Sequence, residues 1–87
     1  MAHLLVRHKV QNFEVWKSAY DAHEPFRAAH GITELHLLRS LADANDIVML
    51  FHASDLGKAH DFINSPDLRK VMMDAGVVGA PEFVELE

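Results

Sequence analysis

A chain of 87 residues, of which 49% are apolar, has room for one globular domain but not for two, so residues 1–87 are expected to form a single domain. The formal net charge is −5 and the longest basic cluster is the pair Arg69-Lys70, which argues against nucleic acid and anionic membranes as partners. There is no Cys, no signal-peptide core near the start and no run long enough to cross a membrane, and a cytoplasmic protein without disulfides is therefore expected.

The first predicted elements are a strand over His3–Val10 and a helix over Phe13–His30. Asn12 is a suitable N-cap for this helix, and Gly31 is a suitable residue to end it. Pro25 does not fit an ordinary interior helix position, so a kink or a restart is expected just before it. Helical spacing places five residues on one inward stripe: Phe13, Trp16, Ala19, Tyr20 and His23.

Two further strands, Ile32–Leu41 and Ile47–Ala53, are predicted on either side of a polar turn. Strict alternation groups four residues of the first of these on one face: Thr33, Leu35, Leu37 and Arg39. Ser54-Asp55 then caps a second helix, whose inward stripe is expected to contain Leu56, Ala59, His60 and Ile63. Ser65-Pro66-Asp67 marks a new helical start, and a final strand is predicted at about Glu82–Leu86.

The order of these elements is strand, helix, strand, strand, helix, strand. It predicts a ferredoxin-like α+β fold, in which both helical segments lie on one face of a four-stranded antiparallel sheet. The run Ile47–Phe51 is apolar at every position, so both faces of the sheet need cover, and the chain supplies helices for only one. The uncovered face is expected to hold side chains such as Leu5, Leu35, Leu37 and either Met49 with Phe51 or Val48 with Leu50. Burying six such side chains is worth roughly 10 kcal/mol, which predicts a homodimer of two sheets packed face to face.

Three segments resemble the dimeric α+β barrel superfamily, and within it small proteins of the antibiotic biosynthesis monooxygenase and stress-responsive barrel type. They are Phe13-Glu-Val-Trp-Lys-Ser-Ala-Tyr-Asp-Ala-His, Val48-Met-Leu-Phe-His-Ala-Ser-Asp-Leu and Ser65-Pro-Asp-Leu with Ala75-Gly-Val. The resemblance implies a homodimeric barrel with a ligand cavity between the sheet and the helices of each protomer. Activities in the superfamily include cofactor-free oxygenation of polycyclic phenols, polyketide cyclisation, haem degradation and muconolactone isomerisation. The haem-degrading branch uses a pocket His with Asn and Trp, which Trp16 in the first helix does not match, so no cofactor is expected.

Among the seven His residues, His23 is the first candidate for a general base, because it lies on the inward stripe just before the helix break. The alternative is a half-buried His that packs beside Tyr20 and bonds to the backbone. His8 and His52 lie on strands and are candidate helpers in catalysis. Alternation leaves open which face of the sheet each occupies, and an edge or interface position is the alternative for both. His60 could close the cavity from the second helix, or pack at its rim.

The candidate substrate-binding residues are mostly aromatic. Trp16, Tyr20 and Phe51 could line a cavity, although an ordinary core of this size needs the same residues. Arg27 could hold a substrate carboxylate or phenolate, with a surface ion pair as the alternative. There is no His-x-His, no His-x₃-His on a helix and no Cys, so no metal is expected.

Two functions follow from these residues. The first is an enzyme that oxygenates, cyclises or isomerises a small aromatic or polyketide-like molecule without a cofactor, with His23 as base and His8 or His52 as its helper. The alternative is a non-catalytic, stress-related dimer that binds a small molecule in the same cavity. A third reading is a structural dimerisation module whose cavity is filled by its own side chains.

Overall fold

Four strands and four helices follow one another in the computed structural model, which describes residues 2–87. Their bounds are β1 Ala2–Val10, α1 Phe13–Ala22, α2 Glu24–Ala29, β2 Ile32–Arg39, β3 Asp46–Ala53, α3 Leu56–Ile63, α4 Pro66–Asp74 and β4 Val77–Leu86. The sheet order is β2-β3-β1-β4, and every pair of neighbouring strands is antiparallel. The predicted ferredoxin-like α+β fold is therefore confirmed.

Three of the four helices begin at a side-chain cap that the sequence predicts. The Asn12 side chain accepts a hydrogen bond from the backbone N–H of Val15 at 3.2 Å at the start of α1. Asp55 accepts one from Lys58 at 3.0 Å at the start of α3, and Ser65 caps α4 in the same way. These bonds satisfy N–H groups that have no partner inside a helix, and so they fix where each helix starts.

The first helical segment is divided at His23. α1 ends at Ala22 and α2 begins at Glu24, with Pro25 in the first turn of α2, where its missing N–H leaves no helical bond unmade. The backbone N–H of His23 still donates to the carbonyl of Ala19 at 3.1 Å, which closes the last turn of α1. The predicted restart is confirmed, and it leaves His23 at the junction of two helices.

The hydrophobic core lies between the helices and one face of the sheet. Burial alternates strictly in β1 and β3, and the inward residues are Leu4, Val6, His8 and Val10 of β1 and Ile47, Met49, Phe51 and Ala53 of β3. The helices add buried side chains, chiefly Trp16 of α1, Phe62 of α3 and Leu68 of α4. This packing fixes which residues of the two central strands face the helices.

The opposite face of the sheet, called the helix-free face below, is without cover from residues 2–87. Its apolar residues at paired positions are Leu5, Leu38, Val48, Leu50, Val78, Val84 and Leu86. Of the two alternatives that the sequence leaves open for β3, Val48 and Leu50 are the pair on this face. Leu38 is 57% exposed and Leu86 is 41% exposed, which is unfavourable for large aliphatic side chains of an isolated chain.

Strict alternation fails in β2 because this strand contains a bulge. The register with β3 shifts between Glu34 and His36, and Leu35 is the extra residue. Beyond the bulge, Leu37 lies opposite Met49 and faces the helices, whereas alternation predicts it on the helix-free face together with Leu35. The side chains of β2 that follow the bulge therefore lie on the opposite face of the sheet from the predicted one.

The last strand starts earlier than predicted, at Val77, and its pairing is interrupted. The register with β1 shifts between Arg7 and Lys9, so that residues 79–81 of β4 lie opposite the single residue His8. The ladder between β1 and β4 is thus regular on both sides of His8 but not at His8 itself.

Gly31, between α2 and β2, is expected to be required for stability. Its φ of +70° is strained for any residue with a side chain, and an added Cβ would lie 2.2 Å from Oγ of Ser54. We expect Gly31→Ala to lower the free energy of unfolding by about 2–3 kcal/mol in urea denaturation, of which about 1–2 kcal/mol is backbone strain. Gly79→Ala is the matched control, because Gly79 has a φ of +72° but nothing within 4 Å of an added Cβ. Equal losses for the two variants would contradict the predicted clash with Ser54.

Candidate functional site

A cavity lies between the helix-facing side of the sheet and the helices. Strands β1, β3 and β4 form its floor, α1 and α2 form one wall, and α3 and α4 form the other. It is partly open to solvent and has a volume of about 50 Å³, the space of a few water molecules. Most of its lining is apolar, and the side chains that bring polar groups to it are His8, Trp16, Tyr20, His23 and Arg27.

His8 brings a buried imidazole to the floor of the cavity. The residue is 4% exposed, and its ring meets the ring of Trp16 in an edge contact, with centroids 5.4 Å apart. Its Nδ1 is buried and has no hydrogen-bond partner among residues 2–87. Burial lowers the pKa of His8 to about 4, and the charge of Asp46 opposes this only in part. At neutral pH the ring is uncharged, and its unpaired nitrogen can exchange a hydrogen bond or a proton with a ligand.

A row of stacked groups runs from His8 along the wall made by α1 and α2. Trp16 stacks on Tyr20 with ring centroids 4.8 Å apart and an angle of 25° between the planes. The guanidinium carbon of Arg27 lies 3.7 Å from the centre of the Tyr20 ring. Phe51 on the floor is 6.5 Å from Tyr20 by ring centroids. The spacing of about one helical turn between Trp16 and Tyr20 produces this row, as an inward helical stripe predicts.

The hydroxyl group of Tyr20 is not available for acid–base chemistry near neutral pH. Its hydroxyl donates to Oε1 of Glu34 at 2.7 Å. Burial, and next the hydrogen bond to Glu34, raise the pKa of Tyr20 well above its ordinary value. Tyr20 therefore stays protonated and serves as a flat apolar surface with a fixed orientation.

Arg27 is a buried cation without a carboxylate partner among residues 2–87. It is 6% exposed, and its Nη1 donates to the backbone carbonyl of Tyr20 at 2.7 Å. No acid among the described residues lies within ion-pairing distance of it, in contrast to Arg7, which forms a two-bond pair with Asp46 at 3.1 and 2.7 Å. The surface ion pair that the sequence allows for Arg27 is therefore not formed.

His23 lines the cavity from the junction of α1 and α2. It is half-buried and stacks on Phe26, with centroids 4.6 Å apart and an angle of 19° between the planes. Burial and the positive charge of Arg27 lower the pKa of His23 below its ordinary value. The ring therefore packs on Phe26, whereas the alternative interpretation expects it beside Tyr20, and it remains within the lining of the cavity.

Two candidate histidines lie elsewhere. His52 is on the helix-free face, where it lies opposite His3 with ring centroids 5.8 Å apart, so the sheet separates it from the cavity. His60 is exposed and pairs with Glu85 instead of facing inward. The buried residues of α3 are Ala59 and Phe62, with Ile63 half-buried against the core. The inward stripe therefore shares Ala59 and Ile63 with the predicted one but includes Phe62 in place of Leu56 and His60.

The opposite wall was not anticipated as part of a site. It consists of Leu68, Val71 and Met72 from α4, and Phe83 of β4 closes the floor. The helical spacing of the α4 residues is a signal for an inward stripe, but it does not separate a cavity wall from an ordinary core. Phe83 can be assigned to the cavity only when the register of β4 with β1 is known, because its pairing with Val6 places it on the floor. Within residues 2–87, no three His, Asp or Glu side chains are grouped so that they could hold a metal ion.

The buried His8 predicts a loss of stability in mild acid. Its pKa falls from an ordinary 6.5 to about 4 on folding, so between these values the unfolded chain binds more protons than the folded one. The free energy of unfolding should therefore fall by about 3 kcal/mol as the pH decreases from 6.5 to 4, and His8 adds no further loss below that range. Urea denaturation at several pH values checks this. His8→Leu should remove most of the slope, with the remainder due to His23, and an unchanged slope would contradict the assignment.

Solved structures share the fold over nearly the whole chain, although no model of a known protein family and no curated protein matches the sequence. A candidate antibiotic biosynthesis monooxygenase from Bordetella bronchiseptica has a TM-score of 0.77 at 14% identity, covering 99% of this chain and 94% of the other. A second, from Nitrosomonas europaea, has a TM-score of 0.70 at 17% identity, covering 100% and 97%. SnoaB, a cofactor-independent oxygenase from Streptomyces nogalater, has a TM-score of 0.75 at 17% identity, covering 99% and 90%. The chain thus has the fold of solved proteins named as antibiotic biosynthesis monooxygenases, as the resemblance of its segments predicts.

Proposed function

We propose that the chain is a cofactor-independent oxygenase that acts on a small, planar hydroxy-aromatic or enolisable polyketide-like molecule in the cavity. The observation that carries the proposal is His8, an uncharged and buried imidazole that lines a cavity with aromatic walls and whose Nδ1 has no hydrogen-bond partner among residues 2–87. A buried polar atom without a partner costs stability, so its retention in a cavity fits a role toward a ligand. SnoaB, which has the same fold, is described as a cofactor-independent oxygenase, and this supports the proposed class of chemistry.

In the proposed reaction, His8 takes a proton from an acidic position of the substrate. The resulting carbanion or enolate is electron-rich enough to reduce O₂, and the two recombine to a hydroperoxide on that carbon. Loss of water then yields a carbonyl, so that R₂CH₂ and O₂ become R₂C=O and H₂O. The proton that His8 took returns to the peroxide oxygen as the hydroperoxide forms, which regenerates the base before water is lost. The protein has to supply only orientation, proton transfer and exclusion of bulk water.

The size of the cavity limits the substrate. An engineered cavity of about 150 Å³ holds one benzene ring, whereas this cavity has about 50 Å³. A ring can therefore enter only if a wall yields. The half-buried Met72 is suited to this, because its unbranched side chain adopts many rotamers. A substrate of one or two rings is expected rather than a large polycyclic one.

Oxygen uptake tests the proposal. A panel of one- and two-ring hydroxy-aromatic and enolisable compounds is incubated with the metal-free protein, and consumption of O₂ is compared with formation of product. The proposal expects one O₂ per carbonyl formed and no product under anaerobic conditions. No enzyme-dependent uptake across the panel, with ligand binding demonstrated, would contradict it.

The alternative function is a non-catalytic dimer that binds a small molecule. Two observations favour it: the cavity is narrow, and a His8 pKa of about 4 makes the imidazole a weak base toward an ordinary phenol. In that case a ligand would be recovered unchanged by mass spectrometry after long incubation with the protein in air. Conversion of the recovered ligand would favour the oxygenase.

We also propose that two copies pack through their helix-free faces. Leu5, Leu50 and Val84 occupy the middle of this face, and exposed Leu38 and Leu86 extend it. A continuous apolar surface of this kind typically marks an interface. Light scattering at micromolar concentration should give twice the mass of 9.8 kDa, and a clean monomer would contradict the proposal.

No helix within residues 2–87 has both the length and the hydropathy that crossing a bilayer requires.

A further inference from the structure

The cavity contains a positive charge that the protein does not neutralise, and from it we infer that the ligand is a planar molecule carrying one oxyanion, held by Arg27. The oxyanion is a carboxylate or a dissociated acidic hydroxyl. The inference rests on the cavity being the ligand site of the proposed function. It adds the charge of the ligand and its orientation.

The first step of the argument is the environment of Arg27. Transferring a guanidinium out of water is costly unless an anion or several hydrogen bonds replace the solvent. Arg27 is 6% exposed, and within residues 2–87 it has one hydrogen bond, to the carbonyl of Tyr20, and one stacking contact, with the ring of Tyr20. A planar guanidinium presents five donors, so most of its capacity is free for an incoming anion.

The second step is that Glu34, the acid bonded to the Tyr20 side chain on which Arg27 stacks, is engaged elsewhere. Glu34 accepts the hydroxyl of Tyr20 at 2.7 Å and makes no ion pair with Arg27. Another arginine of the chain, Arg7, does have a carboxylate partner: it donates two hydrogen bonds to the buried carboxylate of Asp46. Arg7 thus has a carboxylate partner within the chain, whereas Arg27 has none among residues 2–87 and can accept an anion from outside.

The third step concerns shape and direction. Along the wall made by α1 and α2, the contacts from His8 to Trp16, from Trp16 to Tyr20 and from Tyr20 to Arg27 are 5.4, 4.8 and 3.7 Å. The imidazole therefore contacts one ring of the stacked pair and the guanidinium contacts the other. A planar ligand that places its oxyanion on Arg27 extends its other end along these rings toward His8, where the proton is removed.

A bound anion also improves His8 as a base. Negative charge in the cavity favours the protonated imidazole and so moves the pKa of His8 back toward its ordinary value. Charge recognition by Arg27 and proton transfer at His8 would then support each other, although they involve opposite ends of the ligand.

Isothermal titration calorimetry of the full chain tests the inference with 1-naphthoate and 1-naphthamide, which differ in charge but hardly in shape. Fluorescence of Trp16, the single Trp of the chain, is the second readout. We expect the carboxylate to bind about 10- to 100-fold more tightly, the range for charge-assisted hydrogen bonds. Arg27→Met should abolish this preference, and Arg27→Lys should keep part of it.

Arg39→Met is the matched control. Arg39 also stacks on an aromatic ring, that of Phe13 at 3.7 Å, and it also donates to a backbone carbonyl, that of Ala44 at 2.8 Å. It is exposed and outside the cavity, so its loss should leave the preference for the anion unchanged. Thermal unfolding establishes that each variant is folded. If Arg27→Met does not fold, the comparison of Arg27→Lys with Arg39→Lys decides, because only the former should weaken binding of the carboxylate.

The two sources of an oxyanion are separated with 1-naphthol. Binding that strengthens as the pH rises through the ionisation of the naphthol indicates a phenolate, whereas binding of the carboxylate alone indicates a carboxylate. Equal affinity for 1-naphthoate and 1-naphthamide, no binding of any of the three at millimolar concentration, or a preference that survives Arg27→Met would overturn the inference. Anion binding that depends on Arg27 without any O₂ uptake would remove the oxygenase but keep the inference. Turnover of an uncharged substrate that is unaffected by Arg27→Met would keep the oxygenase but remove the inference about the charge of the ligand.

Discussion

Replacing His8 with Leu is expected to lower kcat for O₂ uptake by about 10²- to 10⁴-fold, the usual contribution of a positioned base. The same variant should be as stable as the wild type at pH 7 or about 1–2 kcal/mol more stable, because the substitution removes a buried polar atom without a partner. A gain in stability together with a loss of activity is typical of a residue retained for chemistry. Steady-state O₂ uptake and urea denaturation of the same preparations measure the two effects.

Two control variants separate proton transfer from general effects on histidines. His60→Gln alters an exposed residue that pairs with Glu85, and His52→Gln alters a residue on the helix-free face. Both should retain turnover within about twofold if the dimer is intact.

His23→Gln is expected to affect KM more than kcat, since its ring packs on Phe26 at the junction of the helices. Unchanged kcat in folded His8→Leu would eliminate His8 as the base.

Replacing Leu50 with Glu is expected to convert the proposed dimer into a monomer. Leu50 lies on central strand β3 between Leu5 and His36, near the middle of the helix-free face. Each copy would bring one unpaired carboxylate into the interface, at a cost of about 3–5 kcal/mol per buried charge. Since a symmetric dimer contains the substitution twice, its Kd should rise by at least about 10³-fold. Sedimentation velocity over nanomolar to micromolar concentration measures the shift.

Leu41→Glu is the matched control for this change. Leu41 lies in the connection between β2 and β3 and is 108% exposed, so the same substitution there should leave the association state unchanged. The monomeric Leu50→Glu chain should keep its helical content in circular dichroism, because the core lies on the other face of the sheet. A Leu50→Glu protein that remains a tight dimer would show that association does not use the helix-free face.

The elements of the fold could be predicted from the sequence because their boundaries are local. Asn12, Asp55 and Ser65 cap the helices that they precede, and Pro25 divides the first helical segment. The bulge at Leu35 could not be predicted in this way, because alternation assumes that each residue of a strand has one partner.

The candidate site was predictable only in part. The stripe of α1 indicates Trp16 and Tyr20 correctly as inward residues, since helical spacing fixes their direction. His8 and His52 differ in a way that no local pattern shows: the sheet directs one to the cavity and the other to the helix-free face. The state of Arg27 depends on Glu34 bonding to Tyr20 instead, which is a tertiary contact between a helix and a strand.

The irregularity in β2 also determines which changes of chain length this protein can accept. Deleting Leu35 would restore an unbroken ladder with β3 and would keep Leu37 toward the helices and Leu38 on the other side. Deleting a residue away from the bulge would instead move side chains of the strand to the opposite face of the sheet. The bulge is thus the part of β2 where the chain can lose one residue and still direct the same side chains toward the cavity and toward the helix-free face.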